Sequence, residues 1–378
     1  MGGPRGVRRL GQRTDALRIL AEAALLPKDE PSGVERYAHE MLLALARLPI
    51  SQIRLAVLSS GPGLAVDNDP SLVGYIAKGK RWKIREVDVP RIAKALGVEL
   101  ILHFSVAPGF RHPRPFVMVV HDTVPWDRPE SIPLGMTVYG KPSIECSLRS
   151  HNLRGVVVPS QHTRRRIREL GLVPSRVPVV VIYPGISGTF CFRPSPQAGR
   201  RGSSPYVVGI GTLEPRKNVG LADAIAAKLI PHGIEFHWVG KVGWRTSVAD
   251  FKHLRFLGRI DDTSLAEELS GAVAYVSTSL EEGFGIPVLE AMASGTPTVL
   301  SALPVFKEIT GEAGCFVRSV NPNAWARAIL EIIGWSEARR QSEADRLTAA
   351  AARYSYERSA AQLLDFCQRV ASPSRDNG

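Results

Sequence analysis

Short apolar runs alternate along this chain with longer stretches in which apolar residues recur every three or four positions. Runs of the first kind at residues 17–23, 53–58, 99–105, 115–120, 155–159 and 177–183 read as strands. Val34, Tyr37, Ala38, Met41, Leu42 and Leu45 form a stripe that predicts a helix over 34–48. Glu35, Arg36, His39 and Glu40 fall on its outward face. A second series has strands at 206–210, 236–239, 255–257, 272–276 and 298–301, and helices at 218–230 and 321–333. Residues 356–370 carry a last helical stripe. Strand–helix alternation of this kind calls for parallel sheets with helices on both faces.

Between the two series lies RPSPQAGRRGSSP, residues 193–205, whose Pro, Gly, Ser and Arg content is that of a linker. The chain therefore divides into a first doubly wound domain at 1–192, a linker at 193–205 and a second doubly wound domain at 206–352. A C-terminal helix and tail at 353–378 is placed to pack back on the first domain. Two such domains of similar size predict a central cleft, with ligands at the carboxyl ends of the strands.

With 378 residues, 44% hydrophobic and 22% charged, the chain is neither disordered nor an integral membrane protein. Its long uncharged stretch at 177–192 is broken by Pro184, Gly185 and Gly188. The N-terminus has arginines but no apolar segment or cleavage site, so no signal peptide is expected. Cys146, Cys191, Cys315 and Cys367 show no paired spacing, which predicts a reduced, cytoplasmic chain without cysteine-bound metal.

The net charge of +12 is unevenly spread. Residues 1–196 hold 28 Lys and Arg against 16 Asp and Glu, whereas 197–378 hold 20 of each. One cluster is Lys78, Lys80, Arg81, Lys83 and Arg85 around Trp82; another is Arg164, Arg165, Arg166 and Arg168. Such clusters suit a solvated basic face or an anionic partner. No aromatic ladder accompanies them, which speaks against nucleic acid.

Chemistry concentrates in the second half. In SLEEGFGIPVLEAMASG, residues 279–295, Gly283 and Gly285 allow a tight turn and Pro287 suits the first turn of a helix that ends at Gly295. A glycine loop feeding a helix start presents free N–H groups, an anion site. Glu282 and Glu290 flank that start; acids beside a phosphate suit sugar hydroxyls, or simply a helix dipole. The turn GTLEPRKN, Gly211 to Asn218, follows the first strand of the second series and sets Arg216 and Lys217 at its carboxyl end, where they can hold a diphosphate. Asn218 is placed as the N-cap of the following helix. Gly209 and Gly211 lack the third glycine of a dinucleotide fingerprint.

Together these segments resemble the retaining, nucleotide-sugar-dependent glycosyltransferases of family 4, whose GT-B architecture sets two Rossmann-like domains across a cleft. EEGFGIPVLEAMASGTP resembles that family's E-x7-E signature, GTLEPRKN its phosphate turn, and Ser32-Gly33-Val34 its glycine loop with one glycine replaced. His121-Asp122, Val158-Pro-Ser160 and the stretch from Ile182 to Gly185 also look like family landmarks.

The resemblance implies that Arg216 and Lys217 grip the donor diphosphate, Glu290 binds the nucleotide ribose and Glu282 holds the transferred sugar. It places backbone amides of Phe284, Gly285 and Ile286, with Gly283 and Gly211, around the donor. Gly33 approaches the diphosphate from the first domain, and His121 lies near the reacting centre. Glu282, His121, Arg216 and Lys217 are thus the expected catalytic set. It further implies hexose transfer with retained anomeric configuration, mannose favoured, from GDP-mannose or a UDP-hexose, with no cofactor and no metal. The expected acceptor is a saccharide or lipid-linked saccharide of bacterial polysaccharide or lipopolysaccharide assembly. Lys78, Lys80, Arg81, Trp82, Lys83 and Arg85 are the expected contact with acceptor or an anionic membrane, putting the enzyme at the membrane's inner face. A sugar-nucleotide epimerase of the same fold, or a non-catalytic carbohydrate or lipid-headgroup binding protein, stay open as alternatives.

Overall fold

A computed structural model describes residues 16–23, 33–49, 53–59, 72–76, 81–190, 204–311 and 313–371. It contains two sheets. The first comprises β1 (Leu17–Ala23), β2 (Ile53–Ser59), β3 (Leu72–Ile76), β4 (Leu100–His103), β5 (Phe116–Val119), β6 (Leu153–Val158) and β7 (Val179–Val181), in the order β3-β2-β1-β4-β5-β6-β7. The second comprises β8 (Tyr206–Ile210), β9 (Glu235–Val239), β10 (Leu254–Gly258), β11 (Tyr275–Ser277), β12 (Thr298–Ser301) and β13 (Cys315–Val317), in the order β10-β9-β8-β11-β12-β13. Every pairing is parallel.

In each sheet the strand order reverses beside its first strand, β1 or β8, and such reversal points open a crevice at the carboxyl edge. Both faces of the first sheet are covered by apolar clusters, one with Tyr37, Met41 and Leu45 of the Gly33–Ala46 helix, the other with Ile84, Ile144 and Ile167. The sequence pattern did not mark β3 or β13. Both are edge strands, of five and three residues.

The chain's last helix, Tyr356–Ala371, packs on the first sheet. Tyr356, Ala360, Leu363, Leu364, Phe366 and Cys367 are buried in the cluster of Ile19, Tyr37, Val117 and Val157. Gly155 on β6 makes room for the Phe366 ring, which a Cβ there would meet at 2.3 Å. Of the linker expected at 193–205, residues 193–203 lie outside the described residues. No helix among the described residues is long and apolar enough to cross a membrane.

Candidate functional site

A cleft of about 540 Å³ runs between the carboxyl edges of the two sheets. Its lining includes Gly33 and His121 of the first half with Gly211, Arg216, Lys217, Glu282, Gly283, Phe284, Gly285, Ile286 and Glu290 of the second. These residues, singled out from sequence, therefore converge on one space.

The helix Ile286–Ala293 starts from Gly285, whose φ of +116° is accessible to glycine and places the turn against Phe306. Phe284 itself is buried against Tyr183 and Tyr354, so it reaches the cleft through its backbone while its ring anchors the loop. Beside this loop, Pro215–Lys217 forms one tight turn, and the Leu280 N–H donates to the Arg216 carbonyl at 2.8 Å. Asn218 does precede the Val219–Leu229 helix, but with a left-handed φ of 50° and no side-chain cap. Asparagine tolerates that conformation, and the Thr278 hydroxyl holds the turn by donating to the Lys217 carbonyl at 2.8 Å.

Glu282 is the electrostatic centre of the turn at Pro215–Lys217. Lys217 Nζ lies 2.5 Å from its Oε1, Ser279 Oγ donates to the same oxygen at 2.9 Å, and Arg216 Nη1 donates to Oε2 at 2.8 Å. Burial pushes the Glu282 carboxyl up, but the adjacent Lys217 and Arg216 charges outweigh it and hold it at about 2. Arg216 Nε also meets Glu214 Oε1 at 2.5 Å. Burial opposes the Arg216 charge, yet Glu282 and Glu214 overcome this and raise its pKa.

Eight positions on, Glu290 differs. It is 1% exposed, and burial raises its pKa against the lowering effect of Arg36. Oε1 accepts from Arg36 Nη2 at 2.8 Å, while Oε2 is buried with no hydrogen-bond partner. Glu290 lines the cleft, and a buried acceptor without a partner is suited to a ligand hydroxyl.

Arg36 corrects the reading of the first helix. Placed by periodicity on the outward face, it instead crosses the cleft to Glu290 and lies 3.2 Å from Asp262 Oδ2. Glu35, likewise placed outward, is buried. The side chain of an arginine spans more than the stripe that seats it, so the wheel misplaces its head group. Gly33 opens that helix at the cleft rim, while Ser32 before it lies outside the described residues. The pattern gave no signal for Asp262 or Glu214, both of which acquire their place only by tertiary contact.

His121 is a neutral imidazole: burial pulls its pKa down to about 4. Its Nε2 lies 2.8 Å from the Phe104 carbonyl, which can only accept, so Nε2 carries the proton and Nδ1 keeps a lone pair. The ring packs edge-on to Tyr37 at 5.4 Å. Asp122 beside it is partly buried, and loss of solvent pushes its carboxyl up, with Arg216 opposing.

The basic cluster around Trp82 is only partly a surface. Trp82 is 53% exposed and Lys83 is exposed, but Arg85 is 6% exposed and lies 3.9 Å from the buried Glu22. Arg85 is thus a buried ion-pair partner and is unavailable to an acceptor or membrane, because the turn that exposes Trp82 rotates it inward. Lys78 and Lys80 lie outside the described residues, as does the side chain of Arg81. Phe110, Leu134 and Val138, absent from the sequence reading, are also exposed in this half.

Comparison with known proteins places this geometry. Residues 31–188 match the model of Glycosyltransferase Family 4, and residues 204–334 match that of Glycosyl transferases group 1. The O-antigen chain mannosyltransferase B of Escherichia coli is 30% identical over 173 residues, 42% of this chain and 45% of that protein. A phosphatidyl-myo-inositol mannosyltransferase of Mycobacterium leprae is 28% identical over 206 residues, 52% of this chain and 51% of that protein. The chain thus matches about half the length of these curated relatives. The fold superposes on sucrose-phosphate synthase of Thermosynechococcus elongatus with a TM-score of 0.72 at 19% identity, over 94% of this chain and 99% of that one. With two matched regions in the order of its two sheets and the cleft between them, the chain belongs to the family 4, group 1 glycosyltransferases and has their GT-B fold.

Proposed function

We propose that the cleft binds a nucleoside diphosphate hexose and transfers the hexose, with retention, to an acceptor hydroxyl. The observation that carries this reading is the convergence of Arg216, Lys217 and Glu282 on one cleft with Glu290, whose Oε2 has no partner. In the reaction the bond from the anomeric carbon to the diphosphate oxygen breaks, and a bond from that carbon to the acceptor oxygen forms. The acceptor proton passes to the departing phosphate on the same face. Negative charge grows on the leaving diphosphate, so Arg216, Lys217 and the start of the Ile286–Ala293 helix act where the charge develops. Glu282 and the neutral His121 hold the hexose, and Glu290 takes a ribose hydroxyl. Mannose is the favoured sugar, because the two curated relatives described above are mannosyltransferases; GDP-mannose is the first donor to test and a UDP-hexose the second.

The acceptor is a saccharide or lipid-linked saccharide, met by the first half. Trp82 and Lys83, both exposed, form the contact to an anionic leaflet, an enzyme peripheral to the membrane's cytoplasmic face. Flotation with vesicles of anionic against neutral lipid should show a several-fold preference that Trp82→Ala with Lys83→Glu reduces; equal flotation on both removes the membrane contact. The donor assignment is tested by thermal shift and turnover with GDP- and UDP-sugars, with NMR of the product anomer. Turnover that survives Glu290→Ala and Arg216→Ala, or an inverted anomer, would overturn it.

A further inference from the structure

Ser160 and Thr163 belong to the first half, yet both give hydroxyl protons to a carbonyl of the second. Ser160 is the N-cap of the Gln161–Glu169 helix, where its Oγ accepts from the Thr163 N–H at 3.0 Å. That leaves its own proton free, and it donates to the Gly283 carbonyl at 2.6 Å. Thr163 Oγ1 donates to the same carbonyl at 3.0 Å, filling the second lone pair. All three residues are buried.

The opposite side of the seam is reciprocal. Glu308, on the second half's Pro304–Thr310 helix, accepts from the Gln161 and His162 N–H groups at 2.7 and 3.0 Å. These are helix-start donors that have no partner within their own helix. His162 Nε2 lies 2.8 Å from Glu281 Oε1. Gly283 is meanwhile pressed against the first half's other cleft turn: a Cβ there would lie 1.8 Å from the His121 carbonyl oxygen. The residue after Glu282 is thus clamped between two first-half segments, while Glu282's own carboxylate is fixed by Lys217, Arg216 and Ser279 of the second half.

We propose that Ser160 and Thr163 are positioning residues: through the Gly283 carbonyl they set the loop carrying Glu282 and Phe284, so the sugar-holding side of the site is assembled only when the two halves are docked. The proposal rests on the glycosyl-transfer reading above for its catalytic consequence, but its structural content is independent of it.

Thr163→Val is the decisive variant, because it removes one hydroxyl at nearly constant shape and leaves the Ser160 cap intact. Ser160→Ala also removes the cap and confounds folding. In hydrogen exchange on the full chain, amides at 281–286 should exchange about tenfold faster in Thr163→Val than in wild type, as one buried hydrogen bond warrants. Strand 254–258 should stay unchanged, and Thr163→Ser should restore 281–286 to within about twofold. Unchanged protection at 281–286 overturns the proposal. In turnover of GDP-mannose or UDP-glucose, kcat should fall about five- to tenfold while calorimetric affinity for free GDP or UDP stays within about twofold. Parallel loss of both would mark a merely structural role and overturn it. If the wild type turns over neither donor, the donor reading fails, and the exchange experiment still decides the clasp.

Discussion

Glu282 and Glu290 sit on one loop and helix, with opposite surroundings. Glu282 is held from within its own half by Lys217, Ser279 and Arg216, whose two cations keep its carboxyl well below the ordinary range. Glu290 shares one oxygen with Arg36, which comes from across the cleft, and leaves the other oxygen without a partner. The Glu282 carboxylate is therefore fixed before any ligand arrives, on a loop that the opposite half holds at Gly283, while Glu290 keeps one oxygen for what binds. Preorganised charge needs no rearrangement as a leaving group departs, which is where electrostatic catalysis gains most. An acceptor left open suits discrimination of a ligand, because its desolvation is compensated only when the correct hydroxyl is present.

The strongest way to break this contrast is Arg216→Ala. Two buried carboxylates, Glu214 and Glu282, lose their shared cation, and turnover should fall by about 10²–10³. Arg216→Lys keeps the charge but lacks the fork that reaches both carboxylates at once, so it should recover only part of the loss. Steady-state kinetics on folded protein check both; turnover within threefold of wild type for the alanine variant would remove Arg216 from the mechanism.

The two acids should then separate by what each substitution affects. Glu290→Gln should weaken binding of the free nucleoside diphosphate by about 10–50-fold, the range of a hydrogen bond to a charged group. Glu282→Gln should leave that affinity within a few-fold and lower turnover of the intact donor instead. Calorimetry with GDP or UDP, set beside kcat with the corresponding sugar nucleotide, reads the two effects apart. If both variants lose nucleotide affinity equally, the two acids serve one site and the comparison is void.

Much of this was legible before the structure. Alternating apolar runs mark eleven of the strands, because a strand buried on both faces shows as a compact apolar block such as Phe116–Val119. Glu282, Glu290, Arg216 and Lys217 were legible because each sits at a fixed offset from a glycine or proline that shapes its turn. What was missed depends on tertiary reach. Arg36 was assigned to solvent since periodicity reports where Cα points and is silent on where a long head group ends. Arg85 was counted with its basic neighbours since charge in sequence says nothing of Glu22, buried on β1 some sixty residues earlier. Ser160 stood out as a landmark, but its bond to Gly283 spans 123 positions that no local pattern records.

Acid should sharpen the contrast at lower amplitude. The Glu290 carboxyl is raised above its ordinary value of 4.5 by burial, so it takes up a proton first as pH falls. Glu282, held at about 2 by its cations, contributes stability that is present above its ordinary 4.5 and is lost only as pH falls through that low value. Nucleotide affinity should accordingly begin to decline on acidification while the pH is still above 4.5, with circular dichroism reporting an intact fold. The same decline in Glu290→Gln would assign the titration to another group.

The smallest effect belongs to a His–Glu cluster with no part in the cleft, which makes it a control on the argument. His237 on β9 has Nδ1 at 2.5 Å from Glu268 Oε1 and Nε2 at 2.9 Å from Glu235 Oε2, and its ring stacks on Tyr206 at the amino edge of the second sheet. Burial opposes its charge, but the two carboxylates prevail and raise its pKa above the ordinary 6.5. A raised value means that the ion pair's contribution to stability is fully present below pH 6.5 and is lost as pH rises through the folded value. Thermal unfolding should therefore move down by about 2–4 °C between pH 6 and pH 9, the shift expected for roughly 1 kcal/mol in a domain of this size. His237→Gln should flatten that slope and leave nucleotide affinity unchanged. Were the substitution to alter affinity, charge at the amino edge would be coupled to the cleft, and the independence of Glu282 and Glu290 from the rest of the second half would have to be abandoned.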